Sequence, residues 1–129
     1  MASVSRFQSR LWRTNTVLAT AGRHAVLFDP TFDLSELAEI QRAVAATGRP
    51  ELHVVITHSH FDHACGIGSF PTAEVVVGAT TAEVFESGAA GQQIESASAN
   101  WGVSWPGAPR FDRTIQAGSS FTCGPLVID

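Results

Sequence analysis

The sequence predicts an α/β fold, with an α+β arrangement as its variant, in a single domain over residues 1–129. Three observations predict it. Apolar and β-branched runs alternate with segments of helical spacing, which is the pattern of layered α/β structure. The length suits one domain. One run, "LHVVIT" (Leu52–Thr57), is apolar nearly throughout and so reads as a strand covered on both faces.

The elements follow in order. Arg6, Arg10 and Arg13 fall at a spacing that could share a helical face, read here as a solvated one. "TNTVLATA" (Thr14–Ala21) and "HAVLFD" (His24–Asp29) are strand-like, and Gly22-Arg23 between them predicts a hairpin. "PTFD" breaks the pattern. Asp33 or Ser35 can then cap a helix running to about Thr47, with Leu34, Leu37, Ile40, Ala43 and Val44 at helical spacing. Gly48 and Pro50 end it. After the strand at Leu52–Thr57, "AEVVVG" (Ala73–Gly78) is another strand. "TTAEVFES" (Thr80–Ser87) reads as a helix capped by a Thr, with Glu83 in the capping-box position. Residues 88–100 read as a weak helix or a loop, and "WGVSWPGAP" (Trp101–Pro109) as turns. "TIQAGSSFTCGPLVID" (Thr114–Asp129) reads as short strands with Gly turns. Its last five residues look like a buried strand, whereas domain ends are more often polar and frayed, so the expectation is a chain that stops inside a fold.

Composition narrows the function classes. Hydrophobic residues make up 44% and charged residues 16%, a globular balance. The formal charge of −4 gives no electrostatic case for nucleic acid or an anionic membrane. All eight basic residues are Arg. No apolar run approaches the ~20 residues of a membrane span, and the N-terminal region has none long enough for a signal peptide. Cys65 and Cys123 are far apart and form no CxxC pair, so neither a disulfide framework nor a secreted scaffold is expected. A reduced, cytoplasmic setting is the expectation. Cys123 reads as a packed strand residue and Cys65 as a small packing residue close to a possible site. Trp101 and Trp105 read more readily as packing under a loop than as the wall of a substrate pocket.

Chemistry concentrates in "VVITHSHFDHACG" (Val54–Gly66), which holds three of the five histidines. His58, His60, Asp62 and His63 supply imidazole nitrogens and a carboxylate, the usual zinc ligands. In extended backbone His58, His60 and Asp62 share a face, and His63 breaks the period, so a turn is expected there. Cys65-Gly66-Ile67-Gly68 supplies flexible residues for it. The segment then presents two pairs, His58 with His60 and Asp62 with His63, as suits two metals about 3.5–4 Å apart. A catalytic zinc keeps about three protein ligands and a water. His24 and His53 do not fill the deficit; His53 lies roughly 16 Å back along an extended strand from His58. Both read as structural. Further ligands are expected from beyond Asp129 or from another chain.

"THSHFDH" (Thr57–His63) resembles the THxHxDH signature of the metallo-β-lactamase-fold hydrolases. "TNTVLATAGRHAVLFDP" is similar to that superfamily's opening hairpin, and "DHACGIGSF" to its DHxGG segment, with Cys65 where Gly is common. The resemblance spans roughly residues 15–78. It implies the N-terminal half of an αββα sandwich with a metal site at one edge. His58 and His60 would belong to the first metal and Asp62 and His63 to the second, with Asp29 oriented behind a ligand. It further implies Zn2+, two in the complete protein, with iron or manganese able to take the same donors.

The expected function is a metal-dependent hydrolase in which a metal-bound hydroxide attacks a small ester, thioester or lactone, glyoxalase-II-like or lactonase-like. A bound metal lowers the pKa of its water to about 7. Asp62 would hold a metal and orient the hydroxide or pass a proton. Two other readings stay open: an inactive fragment or non-catalytic metal-binding chain, and an iron-dependent thiol or persulfide dioxygenase of the same fold. The expected partner is a small-molecule substrate. Oligomeric state is not legible here.

Overall fold

The computed structural model describes residues 1–48, 50–102 and 110–129. Trp105 and most of the expected turn-rich stretch lie outside them. Six strands form one sheet: β1 (Ala2–Gln8), β2 (Asn15–Ala21), β3 (His24–Phe28), β4 (Glu51–Ile56), β5 (Glu74–Gly78) and β6 (Arg113–Ile115), in sequential order. β1, β2 and β3 pair antiparallel, whereas β3 to β6 pair parallel. The parallel pairs require crossovers, and helices supply them. α1 (Leu34–Ala46) joins β3 to β4. α2 (Phe61–Ala64) and a 3₁₀ turn (Cys65–Ser69) join β4 to β5. α3 (Ala79–Glu86) and α4 (Ala89–Trp101) follow β5. A separate two-stranded sheet, β7 (Phe121–Cys123) with β8 (Leu126–Ile128), is antiparallel.

The pleat sorts side chains to two cores. On one face Leu18, Leu27, Val54, Ile56, Val75 and Val77 pack against Leu37, Ile40 and Val44 of α1. On the other, Val26, Val55 and Val76 pack against Phe121 and Cys123 of β7. β3, β4 and β5 are therefore covered on both sides, which explains their near-continuous apolar sequences. The Gly22-Arg23 hairpin forms, with Ala21 opposite His24 and Gly22 at φ +59°.

Three expectations are corrected, and one left open is decided. β1 is a strand, so Arg6 does not share a helical face with Arg10 and Arg13. Six of its seven residues are exposed and only Phe7 reaches the core, leaving no alternation to read. Leu34 is 71% exposed, because Asp33 caps α1 and places Leu34 on the solvent side of its first turn. No Thr caps α3: β5 runs straight into it through Gly78, and Thr80 lies within the first turn. The ambiguous stretch is helical, α4, with Ala90, Ile94 and Ala97 buried.

Candidate metal centre

The site forms where β3 and β4 end, at the carboxyl edge of the parallel strands, the usual place for ligands in such sheets. After β3 the chain turns at Asp29, whose φ of +48° is a left-handed conformation that Asp tolerates better than most side-chain-bearing residues. After β4 the backbone stays extended only to His60, which occupies the N-cap of α2. The turn therefore begins one residue before Asp62 rather than at His63. Asp62 and His63 project from the first turn of a helix, and the expected shared face of His58, His60 and Asp62 does not form.

Asp29 is the hub. Its Oδ1 accepts the Thr57 backbone N–H at 2.8 Å, and its Oδ2 accepts the Thr57 hydroxyl at 2.6 Å and His63 Nδ1 at 2.9 Å. With the Thr57 hydroxyl committed to Asp29, the His58 Nδ1–H donates to Thr57 Oγ1 across 3.0 Å. This network assigns both tautomers and leaves Nε2 of His58 and of His63 as free acceptors. The His58 ring lies 3.9 Å from that of His63 and 4.8 Å from that of His60, centroid to centroid. Asp62 Oδ2 accepts the Thr14 hydroxyl at 2.5 Å and stands 3.4 Å from His63 Nε2.

Electrostatics keep the rings distinct. Burial, then the neighbouring His63 charge, holds His58 below the ordinary imidazole value. Burial presses His63 the same way, but its hydrogen bond to Asp29 and the charges of Asp29 and Asp62 outweigh that and raise it. Burial, with the Asp62 charge, pushes the Cys65 thiol up to about 12. Cys65 is thus a protonated packing residue among Phe32, Ile94 and Ala97.

One pair of the expected donors stands at the spacing a divalent ion needs, and the three-residue grouping among the described residues includes neither His60 nor Asp62. Tetrahedral zinc with bonds of about 2.0–2.2 Å separates its donors by about 3.3–3.6 Å, and His63 Nε2 and Asp62 Oδ2 stand at that spacing. Ligand atoms of Asp29, His58 and His63 also lie within 4.8 Å of one another. That second grouping is the weaker one: both Asp29 oxygens already accept hydrogen bonds, which places the carboxylate behind the His63 ring. His24 lies 3.5 Å from Glu51, and His53 bridges Cys123 and Glu74, so neither joins the site.

Sequence reasoning missed Thr14 and Trp12. Both sit on the β1–β2 loop and reach α2 only through the fold, across 48 residues in the case of Thr14 and Asp62. Trp101, expected to pack under a loop, is 52% exposed and lines a cleft of about 510 Å3 together with His60 and Asp62. A smaller cavity, between β1 and α1, is lined by none of the four candidate ligands.

A family model described as the metallo-beta-lactamase superfamily matches residues 10–121. The chain belongs to that superfamily. Among solved structures, it is similar to a native metallo-beta-lactamase from Legionella gormanii, at 18% identity and a TM-score of 0.62, covering 88% of this chain and 44% of that one. A metallo-beta-lactamase from Pontibacter korlensis gives 17% and 0.62, covering 98% and 54%. The mono-zinc form of one from Pseudomonas aeruginosa gives 17% and 0.56, covering 93% and 49%. At these identities the likeness establishes the partial fold, and the chain spans about half the length of these structures. No curated protein matches it. Among the described residues no helix is long and apolar enough to cross a membrane.

Proposed function

We propose that the chain supplies His58, His60, Asp62 and His63 to the metal centre of a hydrolase that adds water across a small ester, thioester or lactone. The observation that carries this is His63, with Nδ1 fixed on Asp29 and Nε2 at 3.4 Å from Asp62 Oδ2. A carboxylate behind an imidazole fixes its tautomer and raises its basicity as a ligand. A bound divalent ion would supply Lewis acidity and an activated water. Zinc suits the nitrogen and carboxylate donors, and the mono-zinc state of a structural neighbour supports that choice.

The chain's own residues would act as follows. His58 and His60 offer ring nitrogens from the extended segment. Asp62, steadied by the Thr14 hydroxyl, orients the attacking water and holds its proton. Four donors shared between two metals leave each short of the usual three, so further ligands would come from residues other than these. The products are a carboxylic acid and the released alcohol or thiol; a lactone gives one hydroxy acid.

The test is metal content after dialysis against zinc, together with thioester hydrolysis by the polypeptide that contains this chain. Wild type should retain zinc and hydrolyse, and H58A and D62A should lose both. Full activity in H58A would sink the reading.

A further inference from the structure

The cavity between β1 and α1, away from the candidate metal centre, has a volume of about 240 Å3. Among the described residues, three buried side-chain oxygens have no hydrogen-bond partner in the protein: Ser9 Oγ, Thr31 Oγ1 and Glu36 Oε2. All three residues line this cavity. Ser9 is 4% exposed and Thr31 2%. Three segments bring them together. Ser9 opens the β1–β2 loop, where its N–H donates to the Thr14 carbonyl at 2.9 Å and its carbonyl takes the Arg13 N–H at 3.0 Å. Thr31 follows Asp29 on the loop after β3. Glu36, Glu39 and Ile40 of α1 stand at i, i+3 and i+4 and so share a helical side.

Buried polar groups are paired in the great majority of native structures, so three orphans facing one space require a partner that enters it. Their chemistry restricts that partner. Glu36 Oε1 already takes the Arg10 backbone N–H at 2.9 Å and faces Arg10 Nε at 3.6 Å, whereas Oε2 has no donor. A carboxylate oxygen only accepts, and a hydroxyl can accept as well as donate. Thr16, also on the lining, has spent its proton on the Asp29 carbonyl at 2.7 Å, so its oxygen can only accept. A group that serves these atoms together must donate more than once and must not be an anion. A primary ammonium has three N–H donors, no acceptor and a positive charge. Of the charged residues on the lining, Glu36 and Glu39 are acidic and Arg6 is basic, a balance that favours a cation. A bare metal ion would leave most of the space unfilled, since one water already takes ~30 Å3 of liquid volume. Phe7 and Ile40 line the cavity with hydrocarbon and suit an organic body behind the charged head.

We propose that this cavity binds a small organic amine, with its ammonium nitrogen among Ser9 Oγ, Thr31 Oγ1 and Glu36 Oε2 and its short hydrocarbon body against Phe7 and Ile40. The three N–H groups supply the three missing hydrogen bonds, and the charge meets Glu36 on the oxygen that Arg10 leaves free. The site is independent of the hydrolase reading, because none of His58, His60, Asp62 and His63 lines it. Recognition by donated hydrogen bonds sets a primary amine apart from a quaternary one, which carries the same charge and has no N–H.

The test reads the methyl resonances of Thr31 and Ile40 in the polypeptide that contains this chain, at fixed ionic strength. n-Butylammonium, n-butyltrimethylammonium, 1-butanol and potassium ion are titrated in turn. Butylammonium should shift both residues saturably and bind about tenfold tighter or more than butyltrimethylammonium, the scale of a hydrogen bond to a charged group. Butanol and potassium should fall short of it by a similar factor. E36Q removes the charge and turns one oxygen into a donor. T31V removes a hydroxyl at nearly constant shape. Each should weaken butylammonium about tenfold, read at Ile40. T31V carries the test where E36Q fails to fold. Absence of shifts at both residues overturns the proposal and leaves the three oxygens to water. Equal binding of the two ammonium ions overturns it as well, as does an equal response to potassium or to butanol. So does unchanged affinity in a folded E36Q or T31V.

Discussion

Asp29 takes three hydrogen bonds through one carboxylate and holds a left-handed backbone to do so. Strain of that kind persists where surrounding contacts over-determine it. D29N is close in shape but replaces one acceptor oxygen with a donor, which faces the His63 Nδ1–H or Thr57. The His63 tautomer is then no longer held. The expected result is a 10- to 100-fold loss of zinc affinity with little change in secondary structure, measured by competition with a chelating dye. Asp33 acts at a distance from the site. Its carboxylate takes the Ser35 hydroxyl and the Ser35 and Glu36 backbone N–H groups at the start of α1. The Ser35 hydrogen bond, then the Glu36 backbone bond, holds its pKa below the ordinary value of 3.8. A depressed carboxyl stabilises the fold above its unfolded pKa, and that contribution is lost as pH falls through the folded value. D33A should therefore cost about 1 kcal/mol near neutrality in denaturant titrations. Its deficit against wild type should shrink below about pH 4.

At the scale of elements, the 3₁₀ turn after α2 is set by contact as much as by flexibility. A Cβ on Gly66 would stand 2.3 Å from the Thr31 carbonyl oxygen and 2.5 Å from that of Pro30. Both are backbone atoms on the loop that carries Asp29, and neither can step aside cheaply. G66A should lower stability by at least about 1–3 kcal/mol and weaken zinc binding together with it. G91A on α4, with open space around the added methyl, should instead stabilise by about 0.5–1 kcal/mol. Calorimetric melts of the two variants separate the cases. Gly66 also shows how far the sequence can be read. Its place in the DHxGG-like segment was legible, as were β2 to β5 and α1, because apolar period, caps and Gly punctuation all act over a few residues. The clustering of His58, His60, Asp62 and His63 was legible for the same reason. The close approach of Gly66 to Pro30 was not, nor were the Thr14–Asp62 contact and the Trp12–Trp101 pair, since each depends on the packing of distant segments. β1 escaped because an exposed edge strand has no buried face to impose a pattern.

For the whole molecule, the candidate metal centre joins three segments that are distant in sequence. The loop after β3, the segment after β4 and the β1–β2 loop meet through the Asp29–His63 and Thr14–Asp62 hydrogen bonds. An ion that binds the folded chain and not the unfolded one stabilises it by RT ln(1 + [L]/Kd), about 2.7 kcal/mol at a hundredfold excess over Kd. For a domain of this size that corresponds to roughly 10 °C in Tm. Zinc should raise the melting temperature by that order, and a chelator should reverse the shift. H58A and D62A should melt close to the zinc-free wild type and not respond to zinc. The control is C65A, at a buried thiol in contact with Phe32, Ile94 and Ala97. It should melt lower than wild type yet keep the full zinc-dependent rise, since a thiol held protonated donates nothing to the ion. A zinc response that disappears in C65A while persisting in D62A would move the ion to the Cys65 side of α2 and break the assignment of His63 and Asp62 as neighbouring donors.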